Sequence, residues 1–427
     1  MIGRTALRRI PPLAAACLLL SCASEPDFDL IIRGGTVYDG TGETAGIRRV
    51  DVGITGDRIR RIGDLTTSRA RQFIDASGKV VSPGFIDAQS RSGLTLLADG
   101  AGESHLRQGI TSEMLSDNSP ALWTAATADT TALGRYGITL DWMGLAGYFD
   151  RLESHGTAIN VGSLIPLSLA RVAGNGTALV DEAMRDGAFG VVDDVNAGEP
   201  EVVAAATTVG MHDGMVMVRA DSPVASSDEG VLAVGAHAHR IVIAGLSHAP
   251  ADHPAPEMVG RMLRVAPRNV FVYGTTAPYA PTASEPEAAV REIAKFGGVL
   301  IGTDTAAVPA SSSQPDTQPA AFGAFPRLVG PYVRDSVLEL REAIRRATSV
   351  PASVFQIPQR GIIRENYYAD VVVLDARTIA DRATFEQPNQ YPIGVDYVIV
   401  NGVVALTPRG PTGSRPGTRL LHRPTGR

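Results

Sequence analysis

The chain has 427 residues, 44% of them hydrophobic and 20% charged, with 45 glycines and 28 prolines. That length suits one large domain or two ordinary ones, and the balance excludes a wholly disordered chain, a coiled coil and a collagen-like repeat. The formal net charge of −6 leaves no basic footprint for nucleic acid, and two cysteines exclude a disulfide framework or a cysteine-rich zinc finger.

Residues 1–22 read as an address rather than a fold. Arg4, Arg8 and Arg9 make a cationic start, and residues 13–20 form an apolar stretch too short to span a bilayer as a mature helix. The stretch ends Leu19-Leu20-Ser21-Cys22, which resembles a bacterial lipoprotein box, where the signal is cut before the cysteine and that cysteine is acylated. With Ala23 behind it, the resemblance implies a lipid anchor at Cys22 and a periplasmic lipoprotein sorted to the outer membrane. The alternative is a plain secretory signal cleaved near Ala23. The mature domain then holds no free thiol, which excludes a cysteine nucleophile or metal ligand.

Beyond the signal, both ends of the chain are rich in strands. Residues 29–42 and 50–63 are short alternating runs broken by glycines, which read as hairpins. Residues 369–376 and 395–406 repeat the pattern, the latter with an Asn401-Gly402 turn. Between them, strands are predicted at 79–87, 110–118, 159–167, 188–194, 215–221, 241–248, 270–276 and 299–304, alternating with helical stretches. In one of these helices Trp142, Leu145, Phe149 and Leu152 share a face and Gly156 is the stop. Eight such units predict an α/β chain closed into a (βα)8 TIM-like barrel, with a doubly wound open sheet as the alternative. Asp87, Asp117, Asp194, Asp221, His248 and Asp304 fall at or just past predicted strand ends, the rim that builds the active site in such barrels.

The segments RGGTVYDGTG and SPGFID near the start, RQGITS at 107–112, and then AFGAFPRLVGPYVR, EAIRRATSVPA, ADRATFEQPNQYPIGVDYVIVNG and GSRPGTRL in the last hundred residues resemble the amidohydrolase superfamily, specifically its N-acyl-D-amino-acid deacylases. The likeness covers most of residues 28–420. It implies a barrel over 79–358 and a small β-sandwich domain built from both chain ends, 23–78 and 359–427. It also implies hydrolysis of a non-peptide C–N amide bond by a zinc-bound hydroxide, with a proton-shuttling aspartate after strand 8.

Set against that family's pattern, the ligand positions of this chain are mostly replaced. The HxH after strand 1 is Gln89-Ser90-Arg91, the cysteine after strand 2 is Asn118, and the Gly-His-Gly after strand 3 is Pro166-Leu167-Ser168. The bridging carboxylate falls near Asn196, the strand 5 histidine is Arg219, the substrate-binding arginine two residues on is Asp221, and a late histidine is Gln318. His248 and the catalytic Asp304 survive. Guanidinium groups stay protonated and do not ligate metals. The resemblance therefore assigns Asp304 as catalytic and leaves His248 with Asp87 as residual metal donors, while the substitutions themselves suggest Arg91, Arg219 and Asp221 as substrate-binding, the two arginines being fixed cations that pair with rim aspartates or hold a carboxylate. It predicts no cofactor, or zinc if any. His105, His155 and His212 are expected at surfaces or helix ends, and His237 and His239 on a helix entering strand 6. The connection 277–298 is short where the family carries a long insert. Two readings follow: an amidohydrolase with an inherited deacylation reaction, or a non-catalytic lipoprotein binding an anionic small ligand, one with an amide or carboxylate, or a partner protein.

Overall fold

The computed structural model describes residues 25–116, 129–172, 176–194, 197–246, 260, 271–279, 287–312 and 317–423. The chain ends build two facing sheets. One has four strands in the order Arg58–Gly63, Asp51–Thr55, Phe28–Arg33 and Ala70–Asp75. The other has seven, in the order Gly410–Pro411, Val403–Thr407, Val395–Val400, Val371–Leu374, Val80–Pro83, Thr36–Tyr38 and Ile47–Arg49. Leu30, Ile32, Val52, Ile54 and Ile59 from the first sheet meet Val37, Val81, Val371, Val373 and Ile399 from the second. Strand alternation then turns Val80, Val372, Leu374, Val398 and Val400 to the opposite face, where they pack on the barrel. The seven-stranded sheet is thus apolar on both faces.

Two expectations change here. Residues 29–42 are not a hairpin. Phe28–Arg33 pairs within the four-stranded sheet, and the chain crosses at Gly34-Gly35 to place Thr36–Tyr38 in the other. Gly34 has φ +71°, and a Cβ on Gly35 would lie 2.5 Å from Val81 Cγ2, so glycine is required at the crossing. Residues 79–87 are two strands rather than one. Val80–Pro83 joins the β domain, and Phe85–Ser90 is the first barrel strand. Gly84 between them would put a Cβ 2.0 Å from Thr111 Oγ1.

The barrel strands are Phe85–Ser90, Ile110–Leu115, Asn160–Ser163 continued as Ile165–Pro166, Gly190–Asp193, Met215–Arg219, Arg240–Ala244, Phe271–Thr276 and Val299–Ile301. Neighbours pair in parallel throughout. The third strand breaks at Leu164, pairing with the second before it and the fourth after it. A parallel bridge between Ser90 and Thr305 joins strand 8 to strand 1, so the sheet closes and the open-sheet alternative is set aside. Met215, Met217, Val242 and Ala244 fill the interior, while Val216, Val218, Ile241 and Ile243 face the helices. The helix Gly144–His155 ends at Gly156 (φ +82°) and buries Leu145, Phe149 and Leu152 as expected. Among the described residues no helix is long and apolar enough to cross a membrane.

A buried ion pair lies within the β domain where it meets the barrel, with Asn160 of the third barrel strand donating to Asp370 at 3.4 Å. Arg360 bonds to Asp370 with both side chains 4% exposed. Asp370 also accepts the Asn401 amide at 2.8 Å, and Arg360 stacks 3.8 Å from the Tyr368 ring centroid. Removing one partner of a buried pair strands the other charge. Asp370→Ala should therefore lower the unfolding free energy by about 3–5 kcal/mol, read as a fall in the urea midpoint.

Candidate active site

The mouth of the barrel is made where strands 1, 5, 6 and 8 end. Interior parity along strand 5 runs Met215, Met217 and then Arg219, which emerges at the rim. A cavity of about 110 Å³ there is lined by Gln89, Arg91, Arg219, Asp221, Ala244, Gly245 and Asp304. Four residues chosen from the sequence, Arg91, Arg219, Asp221 and Asp304, are thus brought to one place. Asp304 Oδ1 accepts two bonds, from Arg91 Nε at 2.9 Å and from Gln89 Nε2 at 3.0 Å. Arg219 meets Asp221 as a fork, Nε to Oδ1 at 2.9 Å and Nη2 to Oδ2 at 3.0 Å. These side chains are between 20% and 36% exposed, so they are open to a solute. Asp304 holds φ +51°, a left-handed conformation that Asp tolerates better than most residues and that strains the backbone modestly.

The strand ends that carry this cavity are zipped together. Asp304 N donates to Gln89 O and Arg91 N to Thr305 O, both at 2.8 Å. Below them Asp87 Oδ1 accepts the Gln89 and Thr303 amides at 3.0 Å each, and its Oδ2 accepts the Thr303 hydroxyl at 2.6 Å. Asp87 was expected on the rim. It is instead the third residue of strand 1, 0% exposed, facing away from the cavity. The register between strands 1 and 2 shifts between Asp87 and Ser90, and such a bulge changes which face the following residues present.

Beside Asp87 lies a pair that the sequence reading missed. His105, expected at a surface or helix end, is 0% exposed in the short helix Glu103–Leu106. Its Nδ1 lies 2.9 Å from Glu113 Oε2, to which the Ser92 hydroxyl also donates at 3.2 Å, and 3.9 Å from Asp87 Oδ2. A signal was available: Glu113 sits inside a strand predicted to be buried on both faces, where an ionisable side chain requires a partner. His155 ends its helix, and His212 caps the C-terminus of Glu199–Met211 and bonds Asp181, both as expected. His237 and His239 are not on a helix: Asp228–Gly235 ends before them, and they lie in the turn leading to strand 6. Gln318 is exposed and does not line the cavity. His248, His253, Asp117, Asn118, Asn196 and Cys22 lie outside the described residues.

Two places can be tested for a metal. At the rim, Asp304 Oδ1 is bonded to a guanidinium and an amide N–H, and a second guanidinium lines the same cavity. A divalent cation there would sit against fixed positive charge, so the described rim residues do not fit zinc. In the interior, ligand atoms of Asp87, His105 and Glu113 lie within 4.8 Å of one another, close enough to face one ion. Three hydrogen bonds already engage Asp87, while His105 Nε2 and Glu113 Oε1 are buried without a partner.

Residues 165–406 match the amidohydrolase family. The chain is 30% identical to N-acyl-D-glutamate deacylase of Alcaligenes xylosoxydans xylosoxydans, over 93% of this chain and 97% of the relative. It is 28% identical to the D-aminoacylase of the same organism, over 95% and 99%. Among solved structures, N-acyl-D-glutamate deacylase from Bordetella bronchiseptica, complexed with zinc and a phosphonate mimic of the tetrahedral intermediate, superposes with a TM-score of 0.79 at 25% identity, covering 92% of this chain and 99% of that one. The chain belongs to the amidohydrolases. Within them it falls in the D-aminoacylase family, whose lineage carries N-acyl-D-amino-acid deacylation. The alignment to the Alcaligenes N-acyl-D-glutamate deacylase runs over 483 positions, more than this chain has, so that relative contains segments absent here.

Burial pushes the Asp87 carboxyl up to about 7, with Glu113 adding to the rise and His105 and the Thr303 hydroxyl opposing it. A carboxyl whose folded value exceeds its unfolded value binds its proton more tightly when folded. Its stabilising contribution is therefore complete below about pH 4 and is lost as pH rises toward 7. Chemical denaturation across pH 4–8 should show this loss in the wild type relative to Asp87→Asn, whose profile lacks that component.

Proposed function

We propose that this chain has kept the deacylase scaffold as a binding module: its barrel mouth takes up a small carboxylate-bearing molecule without zinc, and amide hydrolysis has been lost. The Arg91–Asp304 ion pair carries this reading. In the family's chemistry, by resemblance, the strand 8 aspartate moves a proton beside a metal-bound hydroxide. Here that carboxylate is neutralised by a guanidinium standing where a metal ligand would be. Arg91 and Arg219 supply planar donor forks suited to a carboxylate, and Gln89 supplies an amide that can pair with an amide of the ligand. We place the protein in the periplasm, anchored through acylated Cys22 to the outer membrane; Cys22→Ala should move it from the membrane to the soluble fraction.

The test is direct. Protein purified without chelator should contain far less than one equivalent of zinc by elemental analysis and should not hydrolyse N-acetyl-D-glutamate or N-acetyl-D-methionine. Arg91→Ala and Arg219→Ala should each weaken ligand binding by about tenfold or more, the scale of a lost charge-assisted hydrogen bond. Stoichiometric zinc with turnover would overturn the reading. A second reading, an ion held by Asp87, His105 and Glu113, is favoured by the closeness of their ligand atoms and by the unpartnered Glu113 Oε1. It requires metal that remains in Asp304→Asn and leaves in His105→Ala.

A further inference from the structure

The interior group beneath the mouth sets two carboxylates against one imidazole. Asp87 comes from the strand Phe85–Ser90, His105 from the short helix Glu103–Leu106 and Glu113 from the strand Ile110–Leu115, and all three are 0% exposed. Among the described residues no arginine or lysine pairs with either acid; their common partner is His105 Nδ1, 2.9 Å from Glu113 Oε2 and 3.9 Å from Asp87 Oδ2. One imidazole offsets at most one carboxylate. The other must bind a proton or a cation, because a bare charge in a dry interior is costly. Hydrogen bonds do not exhaust the group either. Glu113 Oε2 takes the Ser92 hydroxyl at 3.2 Å, but Glu113 Oε1 is buried with no partner. A bare acceptor inside a protein points to a water or an ion beside it.

The distances admit an ion. Donors about 2.1 Å from a six-coordinate dication stand about 3.0 Å apart when adjacent and about 4.2 Å apart when opposite. The separations of 2.9 and 3.9 Å fall near that range, and the three ligand atoms lie within 4.8 Å of one another. The aim of Asp87 is fixed in advance, since its Oδ1 is held by the Gln89 and Thr303 amides at 3.0 Å each, which leaves Oδ2 toward His105. The donors are mostly oxygen. Beside the single imidazole nitrogen stand the carboxylates and the hydroxyls of Ser92 and Thr303 that bond to them. Structural zinc favours four sulfur and nitrogen ligands. An oxygen-rich set suits a harder, six-coordinate dication, and manganese(II) is the one that also accepts imidazole readily.

We infer that Asp87, His105 and Glu113 hold a buried manganese(II) ion that ties the first two barrel strands to the helix between them and takes no part in chemistry at the mouth. This rests on the second reading above, in which these side chains hold an ion, and adds which ion it is and what it does; a zinc-free mouth is compatible with it. Full-length protein is purified in detergent without chelator and its metals are counted by elemental analysis. It is then stripped with EDTA in mild urea and titrated with MnCl₂, uptake being read from loss of the free-ion EPR signal. One equivalent of manganese should bind, as isolated or on titration, in the wild type and in Asp304→Asn alike. The bound ion should raise the urea midpoint and show one imidazole nitrogen by pulsed EPR. Glu113→Gln should weaken uptake about a hundredfold or more. His105→Gln gives a second measure should that variant not fold, and the wild-type nitrogen coupling stands without either. One equivalent of zinc as isolated, lost in Glu113→Gln, overturns the choice of ion and leaves the second reading intact. Uptake that survives Glu113→Gln or vanishes in Asp304→Asn places the ion elsewhere and overturns both. So does failure to take up either metal, since the group then balances its charge with a proton.

Discussion

Closure of the barrel between its first and last strands is the constraint on which the site depends. Strand 8 is short, Val299–Ile301, and meets strand 1 through the Ser90–Thr305 bridge. What holds that seam is Asp87, whose carboxylate takes the amides of Gln89 and Thr303 and the Thr303 hydroxyl from beneath. The backbone bonds between Asp304 and Gln89 and between Arg91 and Thr305 complete it. Because Gln89, Arg91 and Asp304 are the next residues along those two strands, the seam sets their spacing. A fully buried acid is costly unless its lone pairs are met. Here they are met by the two segments that must be aligned, so the cost of burial enforces the alignment.

The chemistry at the rim follows from which charges that alignment brings together. A divalent ion and a guanidinium both neutralise carboxylates, but they do different work. The ion polarises water and substrate, whereas the guanidinium orients and pairs without providing a nucleophile. In the reading proposed above, Arg91 and Arg219, which by resemblance stand at imidazole positions, keep the rim aspartates in electrostatic balance in place of an ion. The scaffold survives at TM-score 0.79 to a zinc deacylase because barrel packing, the two-faced sheet and the β-sandwich core do not depend on the rim. Fold and activity are separable in this architecture.

The buried Asp87–His105–Glu113 group belongs to the support of the site rather than to its surface. It adds side-chain links between strand 1, the short helix Glu103–Leu106 and strand 2, beyond the backbone pairing of the two strands. Hydrogen bonds in a dry interior are directional in a way that apolar packing is not, which suits a position where strand register changes by a bulge.

The sequence by itself determined the alternation of eight strands with helices, the strand-rich ends, the Asn401-Gly402 hairpin, and the placing of Arg91, Arg219, Asp221 and Asp304 at the mouth, since each is a local matter of periodicity, turn chemistry or ordered motif. It also determined that Arg91 and Arg219 cannot ligate a metal, because a guanidinium's protonation does not depend on its surroundings. Only the tertiary structure decided which aspartate each arginine takes, that Asp87 turns inward rather than to the rim, that residues 79–87 divide between two domains, and that His105 meets Glu113 eight residues away. These outcomes depend on strand closure and on a register shift, both set by contacts between segments distant in the chain. A single side chain carries no record of the partner that folding will place 3 Å from it.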